Sequence, residues 1–277
     1  MEVAFYNGKF IDIDQLVVPI DERGHNFGDG VYEVVRVYNG EAFGLTEHLV
    51  RLIDSAEAIR IKLPYTLEGF QELILEGIEK SGLKDSVVYL QVTRGVAKRQ
   101  HLFPEAAAAV AMTIREAKDV SINLREGGAS VIVKEDERWL NCYIKSLNLL
   151  PNILVKQEAA DTGAIEAVLH RDGVMTEGSS SNLFIIKEGM LYTTPLSRHI
   201  LAGITRANVL SLAKKLNIPI KEEQIRLEQF KQADEIFITS TTLEVMPIVT
   251  VDGEQIADGK PGKYTMQLQN AYQAQYK

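Results

Sequence analysis

Five glycine-containing dipeptides punctuate the chain: Asn7-Gly8, Asn39-Gly40, Asp172-Gly173, Glu188-Gly189 and Asp252-Gly253. Each sits between short runs rich in β-branched and aromatic residues. A two-residue hairpin needs positive φ at both corner positions, which glycine adopts freely and asparagine or aspartate adopts at small cost. The spacing therefore predicts a chain built largely from antiparallel hairpins. Between them lie helical patterns: Thr46 to about Ile59, Thr66 to about Ser81 with Gly82 as the stop, and about Pro151 to Thr162 before Gly163. In the second, Phe70, Leu73, Ile74, Gly77 and Ile78 fall on one stripe.

Hairpins mixed with amphipathic helices, without strict strand–helix alternation, indicate an α+β architecture with antiparallel or mixed sheets rather than a doubly wound one. At 277 residues the chain is long for one domain. Strand patterns over Val87 to Arg94 and Ala107 to Ile114 close a first unit, and the charged stretch Arg115 to Gly128 reads as a linker. This gives a smaller N-terminal domain over 1–119 and a larger C-terminal one over 120–277.

Composition narrows the possible partners. Apolar residues make up 45% and charged residues 25%, the balance of an ordinary globular protein. A net charge of -8 with a pI near 5.3 repels a phosphate backbone at long range, which argues against nucleic acid. The N-terminus lacks the basic region and apolar run of a signal peptide, and no stretch reaches membrane-spanning length, so no membrane association is expected. The single cysteine, Cys142, cannot form an internal disulfide, which fits a reducing, cytoplasmic setting. His25, His48, His170 and His199 show no metal-ligand spacing and read as structural, so no metal site is expected. No glycine-rich GK[ST] run is present for nucleotide phosphates.

Several segments could carry chemistry. In WLNCYIKSLN, Leu140, Cys142 and Ile144 alternate with Asn141, Tyr143 and Lys145. On a strand Lys145 would leave the core face, as a solvated lysine or one facing a cleft, where desolvation favours a nucleophilic neutral amine. In VMTEGSSSN, Glu177 precedes a glycine and three serines, a flexible turn or an anion cradle. In LAGITR, Gly203 precedes a helix that starts near Ile204 and exposes unpaired N–H groups. After the strand EIFITS, Thr239 to Thr242 cluster hydroxyls at a strand end.

Taken together, DERGHNFGDGVYE, EHLVRL, RGVAKRQHLFP, IKSLN, TEGSSSN, GITR and TSTT, in this order, resemble the D-amino acid aminotransferases, a branch of the fold type IV pyridoxal-phosphate enzymes. The resemblance runs from about Asn7 to Leu268. It implies two α+β domains with the cofactor site in the cleft between them. Lys145 would hold pyridoxal 5'-phosphate as a Schiff base and shuttle the substrate Cα proton, while Glu177 keeps the ring nitrogen protonated. Arg51, Ser180, Ser181, Ile204, Thr205 and Thr241 would hold the phosphate, and Leu201 would pack on the ring. Tyr32, Arg99 and His101 match the D-specific branch's trap for the α-carboxylate, the Arg99–His101 loop reaching the site of a neighbouring subunit in a homodimer. The implied reaction moves the amino group of D-alanine or another D-amino acid to 2-oxoglutarate, giving D-glutamate and pyruvate. An L-specific branched-chain aminotransferase or an aminodeoxychorismate lyase would share Lys145 and Glu177, and differs at the Arg99–His101 loop. A regulatory protein that kept the fold alone would have little reason to retain both residues.

Overall fold

The computed structural model describes residues 1–277. Two compact units divide the chain: Met1–Lys118 with Ile144–Asn148, and Asp119–Tyr143 with Leu149–Lys277. A single cut near Val120 therefore misses one feature, since the five residues around Lys145 group with the first unit.

The first unit contains β1 (Val3–Tyr6), β2 (Lys9–Ile11), α1 (Arg23–Phe27), β3 (Gly30–Tyr38), β4 (Glu41–Ala42), α2 (Leu45–Ala58), α3 (Leu67–Ser81), β5 (Ser86–Thr93) and β6 (Ala109–Glu116). Its strands form one sheet in the order β2-β1-β6-β5-β3-β4, with every pairing antiparallel. Helix α3 begins where the Thr66 hydroxyl accepts the Gly69 N–H and ends at Gly82, whose φ of 61° closes the last turn. The whole stripe Phe70, Leu73, Ile74, Gly77 and Ile78 is buried. A Cβ at Gly77 would lie 2.7 Å from Ile114 and 2.9 Å from Met112, so the absent side chain is what lets helix and sheet approach.

The second unit contains α4 (Ile122–Gly127), β7 (Ala129–Glu135), α5 (Leu150–Asp161), β8 (Glu166–Arg171), β9 (Val174–Gly178), β10 (Asn182–Lys187), β11 (Met190–Thr193), α6 (Ile204–Lys215), β12 (Ile220–Glu222), α7 (Leu227–Lys231), β13 (Glu235–Ser240), β14 (Glu244–Val251), β15 (Glu254–Gln255) and α8 (Lys263–Gln273). The sheet is mixed, in the order β12-β11-β10-β13-β14-β7-β8-β9, with parallel pairs at β11/β12, β14/β7 and β7/β8. Strands β10 and β9 stand third and eighth in that order, yet only Ser179–Ser181 join them. Five strand spacings come to about 24 Å in a flat sheet, whereas so short a link reaches about 14 Å. The sheet must therefore curl so that β9 returns toward β10. Inside the curl, Val168, Leu183, Phe230, Ile236, Ile238 and Met246 pack in one apolar cluster.

All five glycine dipeptides are two-residue hairpin corners. Their first residues have φ between 45° and 51°, and their glycines between 74° and 91°. The stretch expected as a linker is more ordered than its charge suggested, because Arg115 and Glu116 finish β6 and Ile122–Gly127 forms α4. No helix is long and apolar enough to cross a membrane.

Candidate active site

The first unit's contribution begins at β3, where Val31, Glu33, Val35 and Val37 are fully buried on one face and Tyr32 takes the other. Residues 145–147 run along the edge of this strand: the Tyr32 N–H donates to the Lys145 carbonyl at 3.0 Å, and the Leu147 N–H to the Gly30 carbonyl at 3.0 Å. The Lys145 N–H is in turn taken by the Ser55 hydroxyl of α2 at 3.1 Å. Lys145 is thus not on a regular strand. A turn at Cys142–Tyr143 breaks the extended run and leaves only an isolated bridge, Val31 to Ser146. Leu140, expected on the core face, is 48% exposed, whereas Cys142 and Ile144 are buried as their alternation indicated. The outcome at Lys145 is a half-buried amine whose Nζ lies 4.2 Å from the centroid of the Tyr32 ring, where the π face attracts a cation. Tyr89 stands beside Tyr32 with ring centroids 5.7 Å apart. Burial and the neighbouring Tyr32 phenol push Tyr89 up to about 12.

On the opposite face of β3, Glu33 receives Arg51 Nε at 2.7 Å and Nη2 at 2.9 Å, and His48 Nδ1 lies 2.7 Å away. Burial alone would raise this carboxyl, but Arg51 and His48 hold it down to about 2. Arg51, expected to serve a phosphate, thus has two donors committed to a buried acid. The signal was in the sequence: Glu33 occupies an inward phase shared with Val31, Val35 and Val37, and an acid there needs partners.

Arg99 and His101 lie on the exposed loop after β5. The structure brings them to one ring: the Arg99 guanidinium is 4.8 Å from the Phe27 centroid, and the His101 ring meets Phe27 edge-on at 5.9 Å. Tyr32 is placed with Lys145 instead.

In the second unit Glu177 is 4% exposed at the end of β9. Its carboxylate accepts Arg138 Nη1 at 2.8 Å, Asn182 Nδ2 at 3.0 Å and the Leu201 N–H at 3.0 Å. Burial pushes Glu177 up to about 7 even against the opposing pull of Arg138 and Leu201. Arg138 is itself shared, because Asp136 takes its Nε and Nη2, each at 2.9 Å. Nothing in EDERW distinguished Arg138 from a solvated charge, so it went unnoticed in the sequence.

Asn182 ties two motifs together, since its Nδ2 also donates to the Leu201 carbonyl at 2.9 Å. A Cβ at Gly203 would fall 1.9 Å from Asn182 Oδ1, which explains the glycine at that position. Helix α6 starts at Ile204, as expected. Thr205 is buried, with its side chain hydrogen-bonded to Tyr272. Ser180 and Ser181 are oriented otherwise than a hydroxyl cradle requires. Their hydroxyls donate to fully buried Glu166 at 2.7 and 3.2 Å, alongside that of Ser179. Thr241 is half-buried in the turn between β13 and β14. Two residues before it, Thr239 Oγ1 is buried without a hydrogen-bond partner, opposite Asn182 in the strand register.

Chemically, the first unit offers an amine against an aromatic face, and the second, taken by itself, a buried acid raised to about 7 and an unpartnered hydroxyl near a helix start. The family model for class IV aminotransferases matches residues 30–251. A D-alanine aminotransferase from Staphylococcus aureus is 44% identical over 99% of this chain and 97% of its own length. One from Listeria innocua is 45% identical over 96% and 93%. Among solved structures, a branched-chain amino acid aminotransferase from Escherichia coli superimposes with a TM-score of 0.91 at 26% identity, covering 99% of this chain and 94% of that one. A further branched-chain enzyme, solved with pyridoxamine 5'-phosphate, gives 0.90 at 27% over 98% and 92%.

Proposed function

Because the chain belongs to the class IV aminotransferases, we propose that it is a D-amino acid aminotransferase that uses pyridoxal phosphate to exchange amino groups between D-alanine and 2-oxoglutarate. The observation that carries this reading is the likeness along nearly the full length to D-alanine aminotransferases. It is joined by the presence of Tyr32, Arg99 and His101 together.

The residues suit the cofactor. A carboxyl pushed up to about 7 is well matched to a pyridine nitrogen, with which it can share a proton near neutral pH. The partnerless hydroxyl of Thr239 and the N–H groups at the start of α6 suit a phosphate. When bound, pyridoxal phosphate supplies an electron sink for the charge left as the substrate Cα loses its proton.

The chain's own residues do the rest. Lys145 Nζ would anchor the cofactor, then take the proton from the substrate Cα and deliver it to the cofactor, so that the amino group stays behind when the keto acid leaves. Glu177 would face the ring nitrogen and keep it protonated, with Arg138, Asn182 and the Leu201 N–H fixing its carboxylate. Leu201 packs against the ring. Arg51, Thr241 and the N–H groups of Ile204 and Thr205 serve the phosphate, and Ser180 and Ser181 join them by rotating their hydroxyls off Glu166. Tyr32, Arg99 and His101 take the α-carboxylate, a guanidinium, an imidazole and a phenol suiting one anion. The active unit is a homodimer with shared sites, its partners are small amino and 2-oxo acids, and a lone buried thiol suits the cytoplasm.

Likeness in fold to branched-chain aminotransferases supports a second reading, an L-specific enzyme on the same scaffold. Incubating the purified holoenzyme with D-alanine and 2-oxoglutarate should yield D-glutamate and pyruvate. L-glutamate from L-leucine, with no D-glutamate from D-alanine, would establish the second reading instead.

A further inference from the structure

Exposed side chains bind a small anion well only if their backbone is already fixed, since ordering a loop on binding costs affinity. The loop bearing Arg99 and His101 is exposed, yet it is tied from beneath. Asp29, with its side chain 13% exposed, accepts Arg23 Nε at 2.7 Å. It also accepts Arg94 through Nε at 2.9 Å and Nη2 at 3.0 Å. Arg23 then extends Nη1 to the carbonyl of Gln100 at 2.7 Å, the residue between Arg99 and His101. Arg94 spends further donors on the carbonyls of Ile59 and Arg60 at 2.8 and 3.0 Å, which anchors the assembly to the end of α2.

Aromatic contacts complete the arrangement. The guanidinium carbons of Arg23 and Arg99 lie 4.7 and 4.8 Å from the Phe27 centroid, the ring that His101 also meets. Arg94 lies 3.6 Å from the centroid of Phe103 further along the loop. Both Arg23 and Arg94 are buried, and their charge is balanced locally by Asp29, whose carboxyl they hold below its usual range against the effect of burial.

We propose that Arg23, Phe27 and Asp29 are positioning residues for substrate selection: they fix the loop so that Arg99 and His101 present a preformed seat for the α-carboxylate. They do not touch substrate. This inference rests on the reading that Arg99 and His101 take that carboxylate.

The test uses the holoenzyme with D-alanine. Phe27→Leu should raise KM by about tenfold, the worth of a partly desolvated cation–π contact, with kcat and the absorbance of bound cofactor unchanged. Phe27→Tyr, which keeps the ring face, should restore KM. Arg23→Lys, which retains the charge at Asp29 but cannot also reach the Gln100 carbonyl, should raise KM in the same way and serves if Phe27→Leu folds poorly. In an Arg99→Ala, His101→Ala background, Phe27→Leu should shift KM by no more than about twofold, because coupled residues do not add. If Arg99→Ala raises KM while Phe27→Leu and Arg23→Lys leave it unchanged, the positioning role is wrong and the carboxylate reading stands. If Arg99→Ala itself leaves KM unchanged, the carboxylate reading fails.

Discussion

Glu33 and Glu177 are both buried acids, and their neighbours drive them apart. Glu33 receives two donors from one guanidinium and an imidazole, and is held at about 2. Glu177 receives a single N–H from Arg138, whose charge is already offset by Asp136, and burial leaves it at about 7. The second value has a consequence for the cofactor-free protein. Between the ordinary carboxyl range near 4.5 and the raised value near 7, the unfolded chain releases this proton while the folded chain keeps it. Stability from this group therefore falls as pH rises through that window and is flat above it. The difference between wild type and Glu177→Gln should change by on the order of 3 kcal/mol from pH 4.5 to 7, measured by denaturant titration at each pH. A flat difference would mean that Glu177 is already ionised at pH 5. At this scale Lys145 and Glu177 drew attention in the sequence only through IKSLN and TEGSSSN taken with the other motifs, since each segment alone also reads as a solvated lysine or a flexible turn. Arg138 and Glu166 were not, since a buried charge is recognised only through a partner, and Arg138 finds Glu177 and Glu166 its serines at a distance along the chain.

Elements were most legible where local geometry decides them. A corner that needs positive φ at two successive residues admits few dipeptides, so Asn-Gly and Asp-Gly pairs located their turns correctly. Helix α3 was equally readable because a threonine cap, a continuous apolar stripe and a glycine stop coincide. Thr66→Ala should cost about 1 kcal/mol, seen as a lower denaturation midpoint with an unchanged slope; no loss would show that the Thr66–Gly69 bond at 3.2 Å contributes nothing. Period-two alternation misled at Lys145, because alternate burial of Cys142, Ile144 and Ser146 persists without a ladder of hydrogen bonds. Helix α4 was hidden for the converse reason: it buries none of its residues, so it has no apolar stripe to read.

For the whole molecule, the α+β class followed from hairpins and helices occurring together, and the comparisons agree with it. The curl of the larger sheet was not readable, because it depends on which distant strands pair, and composition is silent on that. Nor could periodicity reveal that Ile144–Asn148 would leave its sequence neighbours for the first unit. The proposed sharing of sites between subunits has a direct test. Dimers reassembled from equal amounts of Lys145→Ala and Arg99→Ala chains should regain about a quarter of the wild-type sites if each Arg99 serves its neighbour, since random pairing puts half the dimers in the mixed form. No regain would place Arg99 in its own subunit's site.

Mapping the covalent attachment of the cofactor is the most direct check on the role given to Lys145. Holoenzyme treated with borohydride, digested and analysed by mass spectrometry should carry the pyridoxyl group on Lys145 and on no other residue. A pyridoxyl group on another lysine, or none on any, would contradict that role and the amino-transfer chemistry built on it.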